Sequence, residues 1–287
     1  IMLSNLSKIN DYTFYGCGSL DGVVLPETLT EIGNYSFSGC VGLTGITIPT
    51  AVTSIGRNAF SGCTGITELT LPNGLQTIGQ EAFKNMQLQS IVVPNSVTSI
   101  GAGAFKGCPL ESITLPFVGG SRKISSSTAT SSSTYNGYAW QNGSVYAFGY
   151  IFGGTSRVGT SSAAPSSTTD WTYQGASYYE QKYDAGTRYS YIYYYDGYYI
   201  PATLKIVKIT DADGISANAF YGCTMIESLT LNGRITVVYD KAFYNCTALK
   251  SMILPSSVTE VGSYAFYGCS NMANITLSNL AKINDYT

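Results

Sequence analysis

Phenylalanine recurs at Phe14, Phe37, Phe60, Phe83 and Phe105, and again at Phe220, Phe243 and Phe266, in steps of 22 or 23 residues within each group. A period of that length means one small supersecondary unit used repeatedly. Such a unit is too thin to bury its own apolar side. Burial comes from stacking on neighbours, so the chain is expected to build an elongated rod of units.

The unit is clearest in residues 43–63, LTGITIPTAVTSIGRNAFSGC. Leu43, Ile46 and Ile48 mark a strand with Ile46 and Ile48 inward and Thr47 outward. Pro49 ends it, having no N–H to give to a ladder. Val52 and Ile55 turn inward again, Gly56 permits a tight bend, and Ala59 and Phe60 are expected in a short helical turn. Two residues after each repeat Phe stands Gly16, Gly39, Gly62, Asn85, Gly107, Gly222, Asn245 or Gly268. These residue types close a turn in the left-handed conformation. Strands are expected to begin at Leu20, Leu43, Ile66, Leu88, Leu110, Leu204, Ile226, Leu249 and Met272, laying a parallel ladder along one wall.

The seven cysteines, Cys17, Cys40, Cys63, Cys108, Cys223, Cys246 and Cys269, each follow a repeat Phe by three residues, and Met86 takes that place in the remaining copy. A metal site or redox pair would want a C-x-x-C spacing or a nearby base, and neither is present. The better reading is a column of small buried side chains. Histidine is absent, which removes the commonest general base, zinc ligand and triad partner. No catalytic residue, metal ligand or cofactor-binding residue is assigned, and the chain is read as a non-enzyme. With 15 Lys and Arg against 17 Asp and Glu, no long-range field gathers nucleic acid or acidic lipid. No apolar run approaches the roughly 20 residues that span a bilayer, so no direct membrane insertion is expected within these residues.

The repeated pattern L-x-x-I-x-I-P-x-x-V-x-x-I-G-x-x-A-F-x-x-C resembles the BspA-like, Treponema-type class of leucine-rich repeats. The resemblance covers residues 1–115 and 204–287. It implies an α/β solenoid, a right-handed horseshoe with a parallel β-sheet wall and short helical turns on the other side. It also implies a bacterial surface or secreted protein, in some members adhesive, and brings no catalytic residues.

Between Phe117 and Ile200 the period fails: Leu110 and Leu204 stand 94 residues apart. The reading is therefore a repeat block over 1–116, an insertion over 117–203 and a second block over 204–287, forming one continuous solenoid. Residues 125–134 and 159–168 are Ser/Thr-rich and read as loops. Ala147 and Phe148 are expected to stand in for the missing Ala-Phe turn, with Phe152 filling the column below. Fifteen of the 24 tyrosines lie in the insertion. The alternation Tyr189, Tyr191, Tyr193, Tyr195, followed by Asp196-Gly197 and Tyr198-Tyr199, is a hairpin signature with its turn at Asp196-Gly197. Clustered tyrosines suit glycan and protein recognition, or else pack on the solenoid to cover the seam. Glu180, Asp184 and Asp196 admit a carboxylate-based carbohydrate enzyme, but the insertion is small for such a scaffold. Asp211 and Asp213 resemble the start of a calcium loop but lack the rest of its ligand set, and read as a tight polar turn.

The candidate binding surface comprises Thr47, Thr70, Val92, Thr114, Thr230 and Thr276 along the wall, with Trp171, Tyr189, Tyr191, Tyr193 and Tyr195 in the insertion. An uncharged, hydroxyl-lined wall suits a host or neighbouring-cell protein or glycan and not a phosphate backbone, and the resemblance implies a place outside the cell or on its surface. A structural stalk is the alternative from a different class. Residues 1–13 and 275–287 agree at 11 of 13 positions, from which head-to-tail contacts between repeat ends are expected.

Overall fold

A computed structural model describes residues 1–122, 148–159, 171–173, 176–189 and 192–287, and for strand residues 154–197 and 199 it gives the backbone course. The chain winds into a parallel β-solenoid of about nine turns, and successive turns meet along three sides.

The side after the proline is made of two-residue strands. Lys8–Ile9, Glu31–Ile32, Ser54–Ile55, Thr77–Ile78 and Ser99–Ile100 pair in that order, as do Gly214–Ile215, Val237–Val238, Glu260–Val261 and Lys282–Ile283 in the second block. The register sets Ile32 against Ile55 and Ile55 against Ile78, so one buried aliphatic residue per turn builds a continuous column. Gly56 is needed here for a reason other than the expected bend. A Cβ on it would lie 2.7 Å from Gly33 C and Asn34 N, and one on Gly79 would lie 2.5 Å from Arg57 N. Glycine lets neighbouring turns approach backbone to backbone. The next residue then caps the following turn: Asn34 N–H donates to Asp11 Oδ1 and Arg57 N–H to Asn34 Oδ1, each at 2.8 Å.

At the phenylalanine side of the regular turns the expected helical turn is not found, although Phe148–Phe152 in the insertion is a short 3-10 turn. The backbone is left-handed two residues before each Phe as well as two after, with φ of 55° at Tyr35, 53° at Asn58 and 51° at Glu81 against 79° at Gly39 and 77° at Gly62. A right-handed helix cannot pass through such residues. Their N–H groups bond across turns instead: Tyr35 N–H donates to Arg57 O and Phe37 N–H to Ala59 O, both at 2.8 Å. The rings follow the backbone, Phe14, Phe37, Phe60, Phe83 and Phe105 stacking at 5.1, 5.2, 6.1 and 5.5 Å.

The cysteines do more than fill space. Cys40 Sγ–H donates to Phe14 O at 3.1 Å, Cys63 to Phe37 O at 3.0 Å and Cys246 to Phe220 O at 3.1 Å, each reaching back one turn. Burial pushes the Cys63 and Cys108 thiols up to about 12. Met86 occupies the same column fully buried, while Cys17 in the first turn is exposed.

The insertion leaves the solenoid without cutting it. Ile206–Ile209 pairs in parallel with Ser112–Leu115 on one side and Ser228–Thr230 on the other. Phe148 is buried and faces Phe220 at 5.0 Å, as the sequence suggested; Ala147 lies outside the described residues. Toward Phe105, however, the Ala position is held by Ile151, whose carbonyl accepts from Phe105 N–H at 2.9 Å, and Phe152 stands beside it in the core. Arg122 fastens the start of the insertion: its guanidinium donates to Asp211 O at 2.9 Å and Asn95 O at 2.6 Å and lies 5.6 Å from the Phe117 ring centroid.

The described part of the insertion is a four-stranded antiparallel sheet ordered Gly154–Gly159, Ile192–Pro201, Ala176–Tyr189, Trp171–Tyr173. Asp196-Gly197 is not its turn. Those residues sit mid-strand, Asp196 opposite Tyr183 and Ser156, Gly197 opposite Lys182 and Thr155. The hairpin closes past Tyr189 and Ile192, because a ladder satisfied on both edges outweighs a local turn preference.

Candidate binding surfaces

Every wall residue singled out from the sequence projects outward. Thr47, Thr70, Val92, Thr230 and Thr276 are exposed and Thr114 is half-buried. Inward neighbours alternate with them: Ile91, Ile113, Val207, Leu229 and Met252 are buried. The alternation is the one a half-buried strand imposes.

The wall itself is of two kinds. From Ser90–Val92 onward it is a hydrogen-bonded parallel ladder, continued by Ser251–Ile253 with Asn274–Thr276. Charged residues flank it, with Glu227 paired to both Lys205 and Lys250. In the earlier turns, where strands beginning at Leu20, Leu43 and Ile66 were expected, the ladder is missing. Residues 22–25 pair only with the chain start, through Leu3 N–H to Val24 O at 3.1 Å and Val24 N–H to Ile1 O at 2.8 Å. No backbone hydrogen bond joins residues 44–48 or 67–71 to a neighbouring turn.

The first two open turns differ from most paired ones at the third residue of the segment. Gly22 and Gly45 stand where Ser90, Ser112, Ser228 and Ser251 stand in the paired turns, and glycine weakens a strand. Asp21, Thr44 and Thr67 stand where three of the paired turns carry the Lys205, Glu227 and Lys250 ladder, and the third open turn has Glu68 at the place of the glycine. The other two sides keep these turns in register, so the wall side opens. Ile46 and Leu69 are consequently only half-buried where their counterparts are fully so.

The opening is a cleft of about 1200 Å³ between residues 21–27, 44–50 and 67–73. Asp21, Glu27 and Glu68 line it and no Lys or Arg side chain does. None of the three carboxylates has an ion-pair partner among the described residues. The N-terminal ammonium of Ile1 reaches the edge and donates to Gly22 O at 3.0 Å.

The tyrosine-rich residues do not share one strand. Tyr189 ends one strand opposite Ile192, Tyr193 pairs with Thr187 and Gly159, Tyr195 pairs with Asp184 and Arg157, and Trp171 pairs with Tyr178. Tyr191 lies outside the described residues. Tyr198 and Ile200 are buried, Tyr198 against Tyr150 and Ile200 in the solenoid core. By strand alternation, Tyr193, Tyr195 and Tyr199 take the register positions of the opposite face. Glu180 and Asp184 are four residues apart on one strand, about 13 Å between Cα atoms at the usual rise, and Asp196 takes the other face.

A feature the sequence reading passed over is a tyrosine ladder beside the phenylalanine column. Tyr221, Tyr244 and Tyr267 stack at 4.8 and 5.0 Å, and Tyr12 stacks on Tyr35 at 4.9 Å. Its signal was present, since each of the first three follows a repeat Phe directly. The carboxylates of Asp211 and Asp213 are taken by Arg122 and Arg234. Among the described residues no cluster of His, Cys, Asp and Glu is placed to hold a metal ion, and no helix is long and apolar enough to cross a membrane.

These features define a leucine-rich-repeat scaffold. The model of the BspA-type leucine-rich repeat region matches in six copies over residues 2–135 and 198–287, and the chain belongs to that family. It is similar to the leucine-rich repeat protein of T. pallidum, at 39% identity over 39% of this chain and 53% of that one, with a TM-score of 0.38. The chain thus spans about half the length of that relative. A leucine-rich repeat protein of Bacteroides ovatus is 22% identical over 97% of this chain and 78% of its own, with a TM-score of 0.38. The pneumococcal vaccine antigen PcpA is 17% identical over 98% and 60%, with a TM-score of 0.31. No curated protein matches the chain.

Proposed function

We propose that this chain is a non-catalytic recognition scaffold at a bacterial surface, taking a protein or glycan partner on its wall and on the tyrosine-rich sheet of the insertion. The observation that carries this reading is the wall: one outward residue per turn, mostly Thr or a β-branched aliphatic, that the core does not use. The Thr and β-branched positions offer hydroxyls and small apolar patches, which suit polypeptide and sugar better than phosphate. The antiparallel sheet adds Trp171, Tyr193 and Tyr195, residue types that give flat contact area at low entropy cost. Family membership supports the placement outside the cell.

The test is binding of the purified chain to arrays of extracellular-matrix proteins and glycans. A specific partner should appear, and Trp171→Ala with Tyr195→Ala should weaken it without lowering the melting temperature. Complete silence on both arrays would count against the reading. A fall in melting temperature with binding intact would favour the stalk, with the insertion serving as a patch; the packing of Tyr198 and Ile200 is the observation on that side.

A further inference from the structure

We propose that the cleft between residues 21–27, 44–50 and 67–73 takes an extended polypeptide segment bearing basic side chains, which adds as a strand to the open backbone edges; this rests on the reading of the chain as a recognition scaffold. Three observations meet there. The backbone of residues 44–48 and 67–71 takes the sequence positions of the strands paired in later turns yet makes no hydrogen bond to its neighbours, leaving its N–H and C=O groups for a guest. An unpaired edge of this sort is filled most completely by another strand, whose own N–H and C=O groups alternate in the same way. A sugar chain has no such repeat.

The floor is half-buried Ile46 and Leu69, with exposed Thr47 and Thr70 beside them. An incoming strand that alternates apolar and polar residues can set its apolar side chains on Ile46 and Leu69 and its polar ones outward. The rim decides the charge. Asp21, Glu27 and Glu68 face the cleft against the single ammonium of Ile1 at its edge and no Lys or Arg side chain, so Lys or Arg in the guest meets an excess of carboxylates and an acidic guest is repelled. The closed half of the wall offers a contrast within the same molecule. There the edge groups are consumed by the ladder and Glu227 is already paired with Lys205 and Lys250.

The experiment uses a blocked, fluorescently labelled peptide alternating Lys with Val, its Glu-for-Lys twin, and a version interrupted by proline, titrated into the full chain at low salt. Amide exchange maps where each binds. The Lys peptide should bind and protect residues 44–48 and 67–71, and the other two should not. Asp21→Asn with Glu68→Gln should weaken it about fivefold, in keeping with two exposed ion pairs. Thr47→Pro, which removes an N–H the fold does not use, should abolish protection while the melting temperature holds. Equal binding of the Glu twin, protection elsewhere, no peptide binding, or an oligosaccharide protecting these same amides would overturn the inference. If the cleft stays empty while the chain still binds an array partner through Trp171 and Tyr195, the wider reading survives and this one does not.

Discussion

Gly62 and Gly79 are both glycine, yet for different physical reasons. Gly62 has φ of +77° and nothing nearer than 3.8 Å to a built Cβ, whereas on Gly79 a Cβ would meet Arg57 N at 2.5 Å. The first position asks for a left-handed backbone, and Asn85 and Asn245 meet that need in other turns. Gly62→Asn should therefore shift stability by no more than about 0.5 kcal/mol. Gly79→Ala should cost about 1 to 3 kcal/mol, because two turns must move apart. Urea denaturation of both variants checks the pair. Equal losses would mean that the inter-turn approach is looser than the coordinates give.

At the scale of the element, the cysteine column links packing to pH. The buried thiols of Cys63, Cys108 and Cys246 each donate to a phenylalanine carbonyl one turn back, and burial raises Cys63 and Cys108 to about 12 from an ordinary value of 9.0. A folded value above the unfolded one means the neutral thiol is favoured in the fold. Its contribution is whole below about pH 9 and is lost as pH climbs toward 12. Urea midpoints should accordingly fall through that window, and Cys63→Ala with Cys108→Ala should flatten the fall. A profile unchanged in the double variant would remove the column from the account.

The columns were legible in the sequence because a fixed period forces Phe60, Cys63 and Ile55 onto the same inner positions turn after turn. The opening of the wall was not, since no single residue type marks it: Gly22 and Gly45 replace serine in two open turns but Glu68 stands in the third, and the charge ladder of the closed turns exists only once turns are stacked. The tyrosine hairpin was half legible. The segment is β structure, but the alternation from Tyr189 to Tyr195 straddles the real turn, and Asp196-Gly197 gives a strong local signal that ladder partners on both edges outweigh. The left-handed residue two places before each Phe was hidden altogether, because Tyr, Asn, Glu and Lys all occupy it and only the hydrogen bond to the next turn selects the conformation.

For the whole molecule, stability should behave as a sum of turns and of the interfaces between them. Along the phenylalanine column the two blocks meet through Phe148 and Phe152, which sit in the core between Phe105 and Phe220. Removing both rings with Phe148→Ala and Phe152→Ala should cost several kcal/mol at that one interface, about 3 to 5 for each large ring. Unfolding should then split into two transitions, one for each block. A single transition displaced to lower urea would mean that the wall strands Ser112–Leu115 and Ile206–Ile209 couple the blocks by themselves.

The central claim is that this solenoid carries a wall open over its first turns and closed over the rest. Native-state amide exchange reads that directly. Residues 44–48 and 67–71 should exchange quickly while Ile32, Ile55 and Ile78 in the same turns, and Ile113 and Val207 in the closed wall, stay protected. Uniform protection along the wall would contradict the account.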